Sequence, residues 1–197
     1  KALSCFKLYL RDVMDPKGIK VKRLRTDNDG VLTSKEFKEY LASRGIEAET
    51  SGPYMHESNG VAERIWRTLQ DMALSYLTTA ELPLKYWLLA FTHAAWIKNR
   101  LPHAGIDFEI PYERWTGRQP DLSKVRIFGC KAFALSDRSL IRNLDNRAIE
   151  YVYVGHDLTS NAYMLWDVPN NKIVRSGMVT FIEDFDRYGQ VVTSETL

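Results

Sequence analysis

Asn59-Gly60-Val61-Ala62-Glu63-Arg64-Ile65-Trp66-Arg67 is the stretch on which the reading of this sequence turns. A polar loop over residues 51–60 passes there into a helical pattern over about 60–77. Val61, Ile65, Leu69, Met72 and Tyr76 recur at helical spacing as its apolar stripe, while Glu63, Arg67 and Gln70 fall on another face. Upstream, residues 19–26 read as a strand with Ile19, Val21 and Leu24 available for burial, and Asp27-Asn28-Asp29-Gly30 as the turn that ends it. Before that strand, Leu3, Phe6, Leu10, Val13 and Met14 predict a helix over residues 2–14, stopped by Pro16-Lys17-Gly18. Between turn and loop, Thr33 and Glu36 have capping-box spacing, and Phe37, Tyr40 and Leu41 share one helix face. Gly45 ends that helix and residues 46–50 alternate as a strand. Helix, strand, helix, strand in this order predicts an α/β layer.

Thirty-five residues separate Asp27, at a strand end, from Glu63, in the first turn of a helix. In an α/β layer that order of elements can bring both carboxylates to one sheet edge. Converging carboxylates suit Mg²⁺, which demands oxygen ligands. Two such ions can clamp the attacking and leaving oxygens of a phosphoryl transfer. The spacing leaves the plainer alternative open: Asp27 as a turn residue, and Glu63 paired with Arg67 at i, i+4.

Downstream, Pro83 opens a second helix carrying Trp87, Leu88, Phe91, Ala95 and Lys98 at helical spacing, with Pro102 beyond its end. From about residue 125 the pattern changes to short strands: 126–135, 148–154, 163–168 and 172–179, with Pro169-Asn170-Asn171 as a hairpin turn. Strands so closely spaced predict a small barrel. Gly117 and Pro120, within Thr116–Asp121, mark the boundary. The expected division is 1–118, 119–186 and a tail over 187–197.

A formal net charge of +2 does not announce a nucleic-acid binder, so the distribution of charge matters more. The basic run Lys17, Lys20, Lys22, Arg23 and Arg25 reads first as an edge strand protected by its charges. Cys5 and Cys130 lie far apart, outside any metal-ligand spacing, and read as buried reduced thiols of an intracellular protein. His56, His93, His103 and His156 share no ligand spacing and read as surface or half-buried side chains. No apolar run approaches a membrane span, and no signal peptide is expected. The sequence starts at Lys1 inside a helical pattern, so a piece of a longer protein is expected.

Several blocks go beyond spacing. Arg25-Thr26-Asp27-Asn28, Thr33-Ser34-Lys35-Glu36-Phe37 and Asn59-Gly60-Val61-Ala62-Glu63-Arg64 resemble Copia-type (Ty1/Copia, Pseudoviridae) retrotransposon integrases. So do Asn99-Arg100-Leu101-Pro102, Pro111-Tyr112-Glu113-Arg114-Trp115-Thr116-Gly117 and Val125-Arg126-Ile127-Phe128-Gly129-Cys130. The resemblance implies part of an RNase H-like catalytic core (first strands missing), followed by a small all-β SH3-like barrel. It implies an Asp, Asp, Glu triad in which Asp27 is the second Asp and Glu63 the Glu, both ligating Mg²⁺ or Mn²⁺. The first Asp is expected upstream of Lys1, so no activity is expected of this chain by itself. The implied reaction is 3′ processing of element cDNA ends, then their transfer into target DNA. Asn59, Arg64 and Arg67 are the expected nucleic-acid contacts. The implied partners are DNA and further copies of the full-length protein, with cytoplasmic residence before nuclear integration and no membrane role. Two alternatives stand beside this: a non-enzymatic nucleic-acid-binding or interaction module from a decayed or domesticated element, and a related nuclease of the same fold.

Overall fold

The computed structural model describes residues 2–26, 30, 32–50, 60–135, 148–157 and 160–183. The chain divides into two compact units, Lys1–Trp66 and Arg67–Leu197.

In the first unit, helix α1 (Ala2–Tyr9) runs on through a π turn (Leu10–Met14) and a 3-10 turn (Asp15–Lys17). Gly18 then takes the left-handed conformation, φ 66°, and the Ile19 N–H closes the end by donating to the Met14 carbonyl at 3.1 Å. Strands β1 (Arg23–Thr26) and β2 (Glu47–Thr50) pair in parallel, Arg23 opposite Glu47 and Arg25 opposite Glu49. Parallel strands need a crossover, and helix α2 (Lys35–Ser43) supplies it. The helix starts behind Ser34, one residue after the expected Thr33 cap. Its end is a Schellman motif: Gly45 at φ 66°, the Gly45 N–H donating to Ala42 O and the Ile46 N–H to Leu41 O. Leu41 and Ile46, so joined, share a core with Leu10 and Phe37, closed around by Phe6, Val21, Leu24 and Tyr40. Side chains buried to this degree contribute about 1.5–3 kcal/mol each.

Helix α3 (Gly60–Thr79) passes through the division between the units. In the second unit it is followed by helix α4 (Trp87–Lys98), entered from Pro83 through a 3-10 turn, and by helix α5 (Pro111–Thr116), which ends on Gly117 at φ 69°. The α3 end repeats the Schellman pattern with Glu81 in the left-handed position, φ 52°, and the Leu82 N–H donating to Leu77 O.

Five antiparallel strands follow: β3 (Lys131–Leu135), β4 (Ala148–His156), β5 (Tyr163–Asp167), β6 (Lys172–Ser176) and β7 (Val179–Ile182). Their order across the sheet is β6-β5-β4-β3-β7. The β4–β5 register shifts between Tyr153 and Gly155, and Tyr153 and Val154, pointing to opposite faces, are both buried because each face is covered. On one face Val154 and Met164 meet Ala73 and Leu77 of α3, Ala90 of α4 and Phe128. On the other, Ala132, Ala134, Tyr151, Tyr153 and Leu165 form a second core, closed by Val174, Val179 and Phe181.

The expected small barrel is corrected by this topology. The fold is mixed α/β, and its antiparallel sheet is open, because β6 and β7 stand at opposite edges and do not pair. The expected strand over 172–179 is in fact two strands, broken at Gly177-Met178. Only those two residues link the two edges, so the sheet curls strongly, within the reach of about 10 Å that three residues allow. The hydrogen bonds that would close it are not made.

Candidate nucleic-acid interface

Helix α3 decides where the expected site residues stand. Its buried positions are Leu69, Ala73 and Leu77, of which Ala73 and Leu77 pack against the sheet and α4. The expected stripe does not extend to the first two turns: Val61 is 62% exposed and Ile65 39%. Every residue from 61 to 68 is exposed, and Glu63, Arg64 and Arg67 are among them. Glu63 sits in the first turn, where the positive end of the helix dipole favours a carboxylate. The Arg64 guanidinium lies back over Gly60: a Cβ there would stand 3.1 Å from Arg64 Nη1. Glu63 forms no ion pair among the described residues, and neither does Arg67, so the i, i+4 pairing alternative is not realised there. Asp27 and Asn59 lie outside the described residues.

The basic run resolves into two groups. Arg23 and Arg25 face the acids of β2: Arg25 Nη2 donates to Glu49 Oε1 at 2.6 Å and Arg23 Nε to Glu47 Oε2 at 3.1 Å. The hydrogen bond from Arg25 holds the Glu49 carboxyl below the usual carboxylate range. Lys17, Lys20 and Lys22 stand exposed on the segment before β1.

Residues 130–194 match the family model of the retroviral polymerase SH3-like domain. The chain is 40% identical over 166 residues to the retrovirus-related Pol polyprotein from transposon TNT 1-94 of Nicotiana tabacum, a match covering 84% of this chain and 12% of that protein. To the Pol polyprotein from transposon RE2 of Arabidopsis thaliana it is 30% identical, over 83% of this chain and 11% of that protein. The chain is related to Ty1/Copia retrotransposon Pol polyproteins, with an SH3-like C-terminal region. It spans about an eighth of the length of these curated relatives. Among solved structures, a chain of the simian T-cell lymphotropic virus intasome in complex with PP2A regulatory subunit B56 gamma is similar at TM-score 0.48 and 19% identity, over 88% of this chain and 60% of that one.

The expected Mg²⁺ or Mn²⁺ cofactor is corrected. Among the described residues no group of three or more His, Cys, Asp or Glu side chains converges as a bound metal ion requires. The acids of β2 are engaged by arginines, and Glu63 stands out from an exposed helix turn. No described helix is long and apolar enough to cross a membrane.

Other residues read as ordinary from the sequence are not. His93 and His156 are 3% and 7% exposed, within a cluster of Tyr76, Trp96, Phe128, Tyr153 and Tyr163. Burial, and secondarily the neighbouring His156, pushes His93 down to about 3. Burial, then the Arg100 charge, pushes His156 down to about 4. His103 instead accepts a hydrogen bond from the Gly105 N–H at 3.0 Å, and His56 lies outside the described residues. Cys5 is exposed rather than buried; Cys130 is buried, which raises its thiol to about 12 and keeps it protonated.

The Asn99-Arg100-Leu101-Pro102 and Pro111-Tyr112 blocks also acquire a physical role. The Arg100 guanidinium lies 3.7 Å from the Trp96 ring centroid and 4.6 Å from that of Tyr112, and it donates to Trp96 O. The Tyr112 N–H donates to Asn99 O at 2.8 Å, so α5 is tied to the end of α4. The sequence signal was available: an Arg flanked at helical distance by Trp96, with a Tyr shortly after.

Proposed function

We propose that this chain serves DNA integration as the nucleic-acid-holding part of a retrotransposon integrase. The observation that carries this reading is the exposure of Glu63, Arg64 and Arg67 within the first turns of α3, in the Asn-Gly-Val-Ala-Glu-Arg run. Arg64 and Arg67, with Asn59, meet phosphates of element cDNA ends or target DNA, which fixes the DNA along the helix without reading its sequence. Glu63, with Asp27, is the carboxylate presented to the reacting strand during 3′ processing and strand transfer by the full-length protein. That protein acts as a homo-oligomer in the nucleus, and the 1–118, 119–186 and 187–197 division describes its modules.

A short labelled duplex and fluorescence anisotropy test the DNA contacts. The Arg64→Ala/Arg67→Ala double variant weakens binding about tenfold and lowers the slope of log affinity against log salt by about 2, one counterion per lost contact. Unchanged affinity and slope would remove the α3 arginines from the interface.

A second reading, a nucleic-acid-binding module without chemistry of its own, is favoured by the lack of converging metal ligands among the described residues. Strand joining by full-length integrase separates the two. Loss of joining in Glu63→Gln with DNA binding intact supports the first reading; wild-type joining supports the second.

A further inference from the structure

The segment between α4 and α5 carries a strained and exposed aromatic side chain that neither core uses. Asp107 and Phe108 both take left-handed backbone conformations, φ 56° and 61°. Two consecutive side-chain-bearing residues rarely do so, and such strain persists only where the surroundings impose it. Here they do. The Phe108 N–H donates to His103 O at 3.1 Å, the His103 N–H to Glu109 O at 3.0 Å and the Glu109 N–H to Ile106 O at 3.0 Å, while the His103 ring accepts from Gly105. The result is a stiff loop that holds Phe108 73% exposed. Burial would be the ordinary fate of a phenylalanine, so the strain is being spent on presenting it.

Beside it lies a groove of about 500 Å³ lined by Pro102, Phe108, Glu109, Ile110, Glu113 and Arg114. Its lining combines three apolar side chains with two glutamates and one arginine. Arg114 is already paired with Glu109 at 3.1 Å. Glu113, which lines the groove, and the exposed Asp107, next to Phe108 in the chain, form no ion pair among the described residues. A rigid aromatic anchor with a charged rim is the arrangement by which interfaces gain affinity without an ordering cost, and the rim selects the opposite charge.

We propose that the Phe108 groove is a docking site for a basic peptide segment of a partner protein, one that seats an aliphatic or aromatic side chain against Phe108 and sets lysines or arginines against Asp107 and Glu113. The site lies within the second unit and does not depend on the DNA contacts of α3.

A random heptapeptide library displayed on phage and selected against the full chain is the test, with Phe108→Ser as counter-target. The expected consensus combines one large apolar residue with at least two Lys or Arg. The selected peptides, made synthetically, should bind at least tenfold more weakly to Phe108→Ser and to Glu113→Lys, with the Tm of both variants unchanged. The proposal is overturned by an absent or acidic consensus, by peptides that bind Phe108→Ser as well as wild type, or by a Phe108→Ser Tm loss of many degrees, which would make the side chain structural. Self-association of the wild type that Phe108→Ser abolishes in sedimentation velocity would also overturn it, by assigning the groove to a second copy.

Discussion

Acid should loosen the second unit well above the pH at which carboxylates titrate, and His93 is the main reason. In the folded chain its imidazole is buried among Tyr76, Trp96, Phe128 and Tyr153, its Nδ1 has no hydrogen-bond partner, and it titrates at about 3. Unfolded, it titrates near 6.5. The folded form therefore binds fewer protons than the unfolded one over that interval, and stability falls as pH falls from 6.5 towards 3. At pH 5 the unfolded state gains about 2 kcal/mol from protonating this one side chain. His156, at about 4 when folded, adds a loss in the same direction. A domain holds only about 5–15 kcal/mol in total, so the effect is large. Urea melts followed by tryptophan fluorescence at pH 8, 6.5 and 5 measure it. Of the five tryptophans only Trp66 lies in the first unit, and Trp96 stacks on His156 at 3.9 Å, so the signal reports on this region. His93→Leu supplies the control. It removes an imidazole with an orphan nitrogen, so at pH 8 it should cost no more than about 1 kcal/mol. Between pH 8 and 5 it should lose about 2 kcal/mol less than wild type. Equal pH dependence in the two proteins would refute the reasoning and show that His93 does not remain neutral in the fold.

Two other substitutions test the joints of the same unit. Gly129, at φ 85°, faces Ala80, whose Cβ would lie 2.2 Å from a Cβ added there; left-handed strain and overpacking together make Gly129→Ala cost about 3 kcal/mol or more, a Tm drop of about 10 °C by scanning calorimetry. Arg100→Leu removes the guanidinium from between Trp96 and Tyr112 and should cost about 1–2 kcal/mol. Because the Arg100 charge depresses His156, the same variant should move the His156 titration upwards in NMR, and an unmoved titration would separate the two groups.

What the sequence disclosed follows from which signals are local. Gly45 ended α2 as expected because a left-handed residue after an amphipathic helix is enforced by the Leu41 and Ile46 bonds themselves. The Pro169-Asn170-Asn171 turn was equally legible: Asp167 accepts from the Asn170 N–H and side-chain amide, a contact encoded within four residues. Sheet closure was not legible. Residues 172–179 alternate well enough to read as one strand, and only the sheet order reveals that Gly177-Met178 carries the chain from one edge to the other. Nor was the extent of the α3 stripe, since helical period does not say which turns a sheet will cover; cover reaches Leu69 and leaves Val61 and Ile65 exposed.

The histidines show where a stronger reading was open. From Trp87 to Ile97 helix α4 contains no formally charged residue apart from the titratable His93 itself. A helix apolar around its circumference is an interior helix, so a polar residue in its middle is buried too, and a buried imidazole in apolar company must be neutral. Ala90, His93 and Ala94 are its buried positions, set against β4, where a Cβ on Gly155 would stand 3.7 Å from His93 Cβ, although Trp87 and Leu88 at its start are exposed. The carboxylates lacked any comparable context. Asp27 and Glu63 were linked by spacing and by likeness to a family, and neither says which way a side chain faces. Buried cores are over-determined by many weak apolar signals along the chain, whereas a catalytic or DNA-facing site rests on a few exposed side chains whose burial pattern carries no information. The α3 arginines therefore have to be settled by the salt dependence of binding, in which each phosphate contact counts separately.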